Sequence, residues 1–232
     1  MVILKKLTTL NDNTFSSLPR SIQLDFLLKP LKITTLSDKS DLEVRFDLFE
    51  RLNTGGIILS NQEIRSCVYR GKFNDFLKAL ALNENFKKVV KLTSTEDVDG
   101  TREEYVLRFF AFLNNYQNFD HSVVDFLNKY MSVATKSFNY EQEEKIFQET
   151  FRQLRTLPHG ITRKRNTTPA NLFEGVSVGA ALVIKNGRDL VMTNAETWIT
   201  GEELRSYTTG ATNSKKNVIG RIEYCERKFL GQ

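Results

Sequence analysis

The sequence predicts a mainly α-helical protein: a multi-helix bundle preceded by a short remnant of an α/β layer. From residue 41 onward, apolar residues recur at helical spacing in one segment after another. Capping residues and glycines punctuate those segments at their ends. Strand-like alternation occurs only once, in Leu31-Lys32-Ile33-Thr34-Thr35-Leu36, directly after Pro30. Of 232 residues, 40% are hydrophobic and 26% charged, enough apolar material for a sizeable core. Seventeen Phe against one Trp and four Pro point to a core of Phe, Leu, Ile and Val carried on helices.

Residues 1–40 read as one unit and residues 41–232 as a second. The first contains a polar turn, Thr9 to Pro19, a helical piece from Ser21 to Lys29, and the strand-like run. A helix feeding a strand is a fragment of an α/β layer. No second strand of comparable quality follows, so this reading expects the rest of the layer to come from sequence before Met1.

The second unit opens with a helix over 41–52 that closes at Asn53-Thr54-Gly55-Gly56, where glycine takes the left-handed conformation that ends helices. Ser60 with Glu63 three residues on forms a capping box for the next helix, which stops at Gly71. Further helices are expected over 73–82, 84–91, 102–116, 121–135, 140–157, 169–186, 200–207 and 215–230. Thr101 with Glu104 and Thr200 with Glu203 match the same box. Loops fall at 97–100, 158–168 and 208–214.

Several function classes find no support. Cys67 and Cys225 are far apart without metal-type neighbours, and read as buried reduced thiols. His121 and His159 each lack a partner at ligand spacing, so no metal site is expected. No nucleophile elbow or general base is evident, and no catalytic residue is assigned. Phe109, Phe110, Phe112, Tyr116 and Phe119 read as core rather than as a stacking platform for bases. With neither a secretory leader nor an apolar run near the roughly 18 residues of a membrane span, the expectation is a cytoplasmic protein without a membrane partner.

The net charge of +5 is unevenly placed. Arg152, Arg155, Arg163, Lys164 and Arg165 have no acidic residue among them, and Lys215, Lys216, Arg221, Arg227 and Lys228 follow. Such tracts suit phosphate contact, with Arg163, Lys164, Arg165, Lys215, Lys216 and Arg221 as the candidates for DNA. Solvated helix ends give the same pattern.

On a helical wheel, Leu42, Val44, Phe46, Leu48, Phe49 and Leu52 share one arc, with Arg45 inside it. That guanidinium must reach solvent or find an acid, since leaving it unpaired costs several kcal/mol. The glycines that follow permit close backbone approach and can present N–H groups to a phosphate. The spacing is not that of a P-loop, and a plain helix–turn–helix joint is the other reading.

The stretch Glu43 to Ala81, with Phe-Glu-Arg-Leu-Asn-Thr-Gly-Gly at Phe49 to Gly56, Leu59, and Gln62-Glu63-Ile64-Arg65, resembles the GmrSD-type restriction endonuclease N-terminal domain, a ParB/sulfiredoxin-like family. Asn171-Leu172-Phe173-Glu174 and the run from Thr208 to Tyr224 resemble later elements of the same family, so the likeness extends from Phe15 to the last helix. It implies a role in restriction or phage defence. It also implies that Arg51, Asn53, Thr54, Gly55, Gly56, Glu63 and Arg65 border a nucleotide pocket.

Family members carry Asp-Gly-Gln-Gln-Arg, linked to NTP hydrolysis, upstream of the segment matching Phe15 to Pro19. That motif is absent here, and Asp99-Gly100-Thr101-Arg102 shares only its first two letters. The expectation is a C-terminal helical part, inactive alone and without a cofactor of its own. NTP and Mg would belong to a complete family member, and an upstream α/β polypeptide and DNA are the expected partners. The alternatives are a non-enzymatic DNA-binding or regulatory module using the basic tracts, and a decayed remnant.

Overall fold

The computed structural model describes residues 10–31, 33, 44, 46, 48, 51, 59–163 and 167–232. Among these residues there are eleven α-helices and no strand, a mainly α multi-helix bundle. The chain divides into two compact units, Met1–Asp41 and Leu42–Gln232. Among the described residues, no helix is long and apolar enough to cross a membrane.

In the first unit a 3-10 turn, Phe15–Ser17, precedes α1, Arg20–Leu27. Gln23 ties the two together by donating to the carbonyls of Phe15 and Leu18 at 3.0 and 2.9 Å. None of the residues of α1 is buried. The strand-like run after Pro30 lies largely outside the described residues; Leu31 and Ile33 are exposed and in no regular element.

In the second unit Val44, Phe46, Leu48 and Arg51 are helical, and ten numbered helices follow. They are α2 (Asn61–Val68), α3 (Lys72–Ala81), α4 (Glu84–Val89), α5 (Thr101–Asn115) and α6 (Val123–Ala134). Then come α7 (Tyr140–Leu154), α8 (Ala170–Lys185), α9 (Ala195–Thr200), α10 (Glu202–Thr208) and α11 (Lys215–Phe229). Side-chain oxygens satisfy orphan N–H groups at the starts of α2, α4, α6, α7 and α11, through Ser60, Asn83, Ser122, Asn139 and Ser214. At α2 the box is complete: Glu63 N–H donates to Ser60 Oγ at 3.1 Å, and Ser60 N–H to Glu63 Oε2 at 2.7 Å.

The other two expected boxes do not form. The N-cap of α5 is Gly100, at φ +80°, and Thr101 instead donates to Asp99 Oδ1 from its N–H and its hydroxyl. Asp99 O in turn accepts from Ser60 Oγ at 2.7 Å, fixing the start of α5 to the start of α2. Asp99-Gly100-Thr101 is thus a structural joint, and Arg102 pairs with Asp97 at 2.6 Å. Thr200 ends α9 rather than starting a helix, its hydroxyl donating to Glu196 O at 2.8 Å.

Helix α8 is the centre of the bundle. It is apolar nearly all round, as a helix surrounded by others must be, and packs on α11, α7 and α5. A phenyl cluster fills the space on the α5 and α7 side. Phe147 and Phe151 have ring centroids 4.5 Å apart, Phe86 and Phe151 4.9 Å, and Phe109 and Phe147 5.3 Å. Each such pair adds about 0.5–1.5 kcal/mol beyond burial of its area. Phe109, Phe110, Phe112 and Phe119 are all fully buried, the core role expected of them.

Toward α11 the surface of α8 is made of small residues. A Cβ on Gly179 would lie 2.7 Å from Cys225 Cβ and 2.8 Å from the Glu226 backbone nitrogen. Gly175 meets Arg221 in the same way, at 3.2 Å. Helical glycine costs roughly 1 kcal/mol relative to alanine, and here it lets two helices approach to backbone contact. Gly179→Ala should therefore destabilise the unit by about 1–3 kcal/mol through overpacking, read as a lower denaturant midpoint with an unchanged slope.

Candidate functional site

Two charged constellations stand out, one buried and one lining a cavity. The buried one is a chain of alternating charges across α2, α5, α8 and α11. Arg65 Nη1 donates to Glu104 Oε2 at 2.9 Å. Glu104 Oε1 accepts from both Arg108 Nε and Nη2, at 2.9 and 2.7 Å, two charge-assisted bonds on one oxygen. Arg108 Nη1 reaches Glu174 Oε1 at 2.5 Å, and Glu174 Oε2 accepts from Arg221 Nη2. Arg65, Glu174 and Arg221 are at most 1% exposed.

Three guanidiniums meet two carboxylates in this chain, and neutral acceptors share the excess charge at its two ends. Arg65 also donates to Asn128 Oδ1 at 2.8 Å and Gln62 Oε1 at 3.0 Å, and Arg221 to Thr212 O at 2.6 Å. Arg221 Nε and Gln62 Nε2 are buried without a partner. Burial opposes ionisation of Glu104, but Arg108 and Arg65 outweigh it and hold its carboxyl below the usual range. Burial likewise works against the charge on Arg108, while Glu174 and Glu104 overcome it and raise its pKa.

The second constellation is a cavity of about 480 Å³ lined by Leu157, His159, Gly160, Thr162, Arg163, Glu196, Ile199, Thr200 and Arg205. The connection after α7 forms one wall and α9 and α10 the other. Gly160 holds φ +65° with its α-carbon against the end of α4, where a Cβ would lie 2.4 Å from Val89 O. Ile161 N–H donates to that same carbonyl at 2.9 Å, and Thr168 N–H to Lys91 O at 2.8 Å. The wall is therefore held to the bundle on both sides of residues 164–166.

The candidates read from sequence distribute unevenly over these features. Glu63 and Arg65 do structural work, the one closing a helix cap and the other anchoring the charge chain. Arg51 is helical and exposed, whereas Asn53, Thr54, Gly55 and Gly56 lie outside the described residues, as does Arg45. Among the DNA candidates, Lys215 and Lys216 are exposed in the first turn of α11, Arg163 lines the cavity, and Lys164 and Arg165 lie outside the described residues. Arg221 is a correction. The close approach of α11 to Gly175 holds it against Glu174 at 0% exposure, away from any external phosphate.

Sequence reasoning missed Glu104, Arg108, Glu174 and Arg205. A signal for Glu174 existed, since it is the single charge between Pro169 and Ile184 and a carboxylate on a core helix requires a cation. Arg205 carried none: on its own helix it looks like any solvated arginine. His121 is exposed beside Asp120, and among the described residues no group of three or more His, Cys, Asp and Glu could hold a metal ion. Cys67 and Cys225 are free thiols, and burial pushes Cys225 well up from its usual pKa. No family model, curated protein or solved structure matches this chain.

The charge chain makes stability depend on acid. Because the folded pKa of Glu104 is depressed, its contribution is complete above the unfolded value of roughly 4.3 and is lost as pH falls through the lower folded value. Glu104→Gln should lower stability at neutral pH by about 3–5 kcal/mol, the usual consequence of breaking a buried ion pair from one side. It should also flatten the acid limb of a denaturant-derived stability profile. A variant whose profile overlies that of the parent would show that the chain is electrostatically idle.

Proposed function

We propose that this chain is the helical part of a GmrSD-type restriction or phage-defence protein, in which it buttresses a nucleotide-dependent α/β half. The observation that carries this reading is that the separate stretches bearing the resemblance meet through the buried charge chain. Arg65 belongs to Gln62-Glu63-Ile64-Arg65, Glu174 to Asn171-Leu172-Phe173-Glu174, and Arg221 with Thr212 to the run from Thr208 to Tyr224. Asn171 Nδ2 adds a further link by donating to Thr208 O at 2.9 Å. Residues that look like family motifs and are scattered over the chain thus act as one mechanical element. This element fixes the helix that follows the Asn-Thr-Gly-Gly stretch in the sequence.

Helix α1 supplies a second support. Phe26, Leu27 and Leu28 are 67%, 61% and 76% exposed. A short helix that buries none of its residues presents its apolar side chains to a covering layer. NTP and Mg, in this reading, are bound by the α/β half, and the helical part contributes rigidity rather than catalytic groups. The alternative of a DNA-binding module rests on fewer cations than the basic tracts suggest, since Arg221 is buried and Arg163 turns into a cavity.

The test is reconstitution with an α/β polypeptide of the GmrSD type that carries Asp-Gly-Gln-Gln-Arg. The expected outcome is a stable complex and faster NTP turnover than the α/β polypeptide gives alone, with both lost in Leu28→Asp, a change at an exposed position. No complex and no stimulation by the parent chain would overturn the reading.

A further inference from the structure

The charge chain and the cavity treat arginine in opposite ways. In the chain every guanidinium has a carboxylate. Around the cavity, Arg163 and Arg205 make no ion pair among the described residues, although Glu196 lies on the same wall as Arg205. Arg163 spends one N–H group on Thr208 Oγ1, and the Arg205 side chain donates to nothing among the described residues. Burial, and after it the charge of Arg205, push the Arg163 guanidinium down from its ordinary value, so the two cations feel each other across the cavity. Bringing two like charges together with no carboxylate in contact among the described residues costs free energy, which a bound anion returns.

We propose that this cavity binds a phosphomonoester on a ligand of mononucleotide size, its phosphate held between Arg163 and Arg205. The volume of about 480 Å³ falls within the roughly 300–1,000 Å³ usual for small-ligand sites. Two guanidiniums without an ion pair among the described residues match a phosphomonoester, which carries about −1.5 to −2 at neutral pH and offers three acceptor oxygens; a carboxylate would leave one cation unmet. Leu157 and Ile199 supply an apolar wall for the uncharged body of the ligand. Glu196 repels a second phosphate and accepts from hydroxyl or amino groups, which favours a single phosphate end over a run of phosphodiesters. The anchored loop at Gly160 and Ile161 holds Arg163 near its place before binding, limiting the ordering cost.

The proposal is independent of the reading as a helical buttress, because it concerns binding to this chain alone. Isothermal titration of the full chain with adenosine 5′-monophosphate should show saturable binding, absent with adenosine. Arg205→Gln, a change at an exposed side chain, should weaken it at least about tenfold, while Glu196→Gln should leave it equal or tighter. Inorganic phosphate should compete with the nucleotide. A 5′-phosphorylated oligonucleotide tested against its 5′-hydroxyl form distinguishes a free nucleotide from a strand end as the source of the group, and preference for either phosphorylated form supports the site. No binding of any phosphorylated probe at about 10 mM, beyond the weak end of specific affinities, would overturn the proposal, as would equal affinity for adenosine or for Arg205→Gln.

Discussion

A guanidinium taken out of water has to keep a carboxylate beside it, and the helical unit is arranged around that requirement. Arg65, Glu104, Arg108, Glu174 and Arg221 come from four helices, and the contacts among them exist in one relative placement of those helices. Hydrophobic burial supplies most of the driving force but is non-directional, and a core of phenylalanines tolerates some sliding and rotation. A fork of two N–H groups on one carboxylate, as between Arg108 and Glu104, tolerates little. Desolvation offsets much of the attraction between buried charges. The chain of charges is therefore better understood as setting the register of α2, α5, α8 and α11 than as the main source of their stability.

The glycines of α8 follow from the same requirement. Glu174 sits beside Gly175, and the approach of α11 that Gly175 and Gly179 allow is what brings Arg221 onto the carboxylate. A bulkier face on α8 would push α11 outward and strand the carboxylate with Arg108 alone. The cost of two helical glycines is thereby coupled to the electrostatics of the core. Sequence, packing and charge meet within the eight residues from Leu172 to Gly179.

Much of the helical layout was legible in the sequence because its signals are local. Ser60 with Glu63 starts α2 as the capping pattern requires, and the expected helices over 140–157, 169–186 and 215–230 correspond to α7, α8 and α11 with ends displaced by a few residues at most. The two failed boxes show where local pattern stops being sufficient. Glu104 has the right spacing from Thr101, but Arg65 and Arg108 claim its carboxylate and Asp99 claims the threonine. Near Thr200, a helix of six residues, α9, starts at Asn194 in the left-handed conformation, a beginning that no apolar period marks. The cavity was illegible for a related reason. Arg163 and Arg205 are more than forty positions apart, and only the fold makes them neighbours.

Net charge by itself says little about where a protein meets phosphate. The C-terminal third is rich in cations, yet those cations divide by what surrounds them. Arg221 is paired with Glu174 inside the bundle, and Lys215 and Lys216 are solvated at a helix start. Arg163 and Arg205 line one cavity, and neither makes an ion pair among the described residues. Only the last condition leaves unspent electrostatic free energy in the folded protein, chiefly at half-buried Arg163, because a solvated lysine is already stabilised by water and a paired arginine by its carboxylate. An anion gains most where the fold has placed positive charge that nothing else neutralises, so a cavity with such a group on each of two walls is a stronger indicator of ligand chemistry than a basic tract of any length.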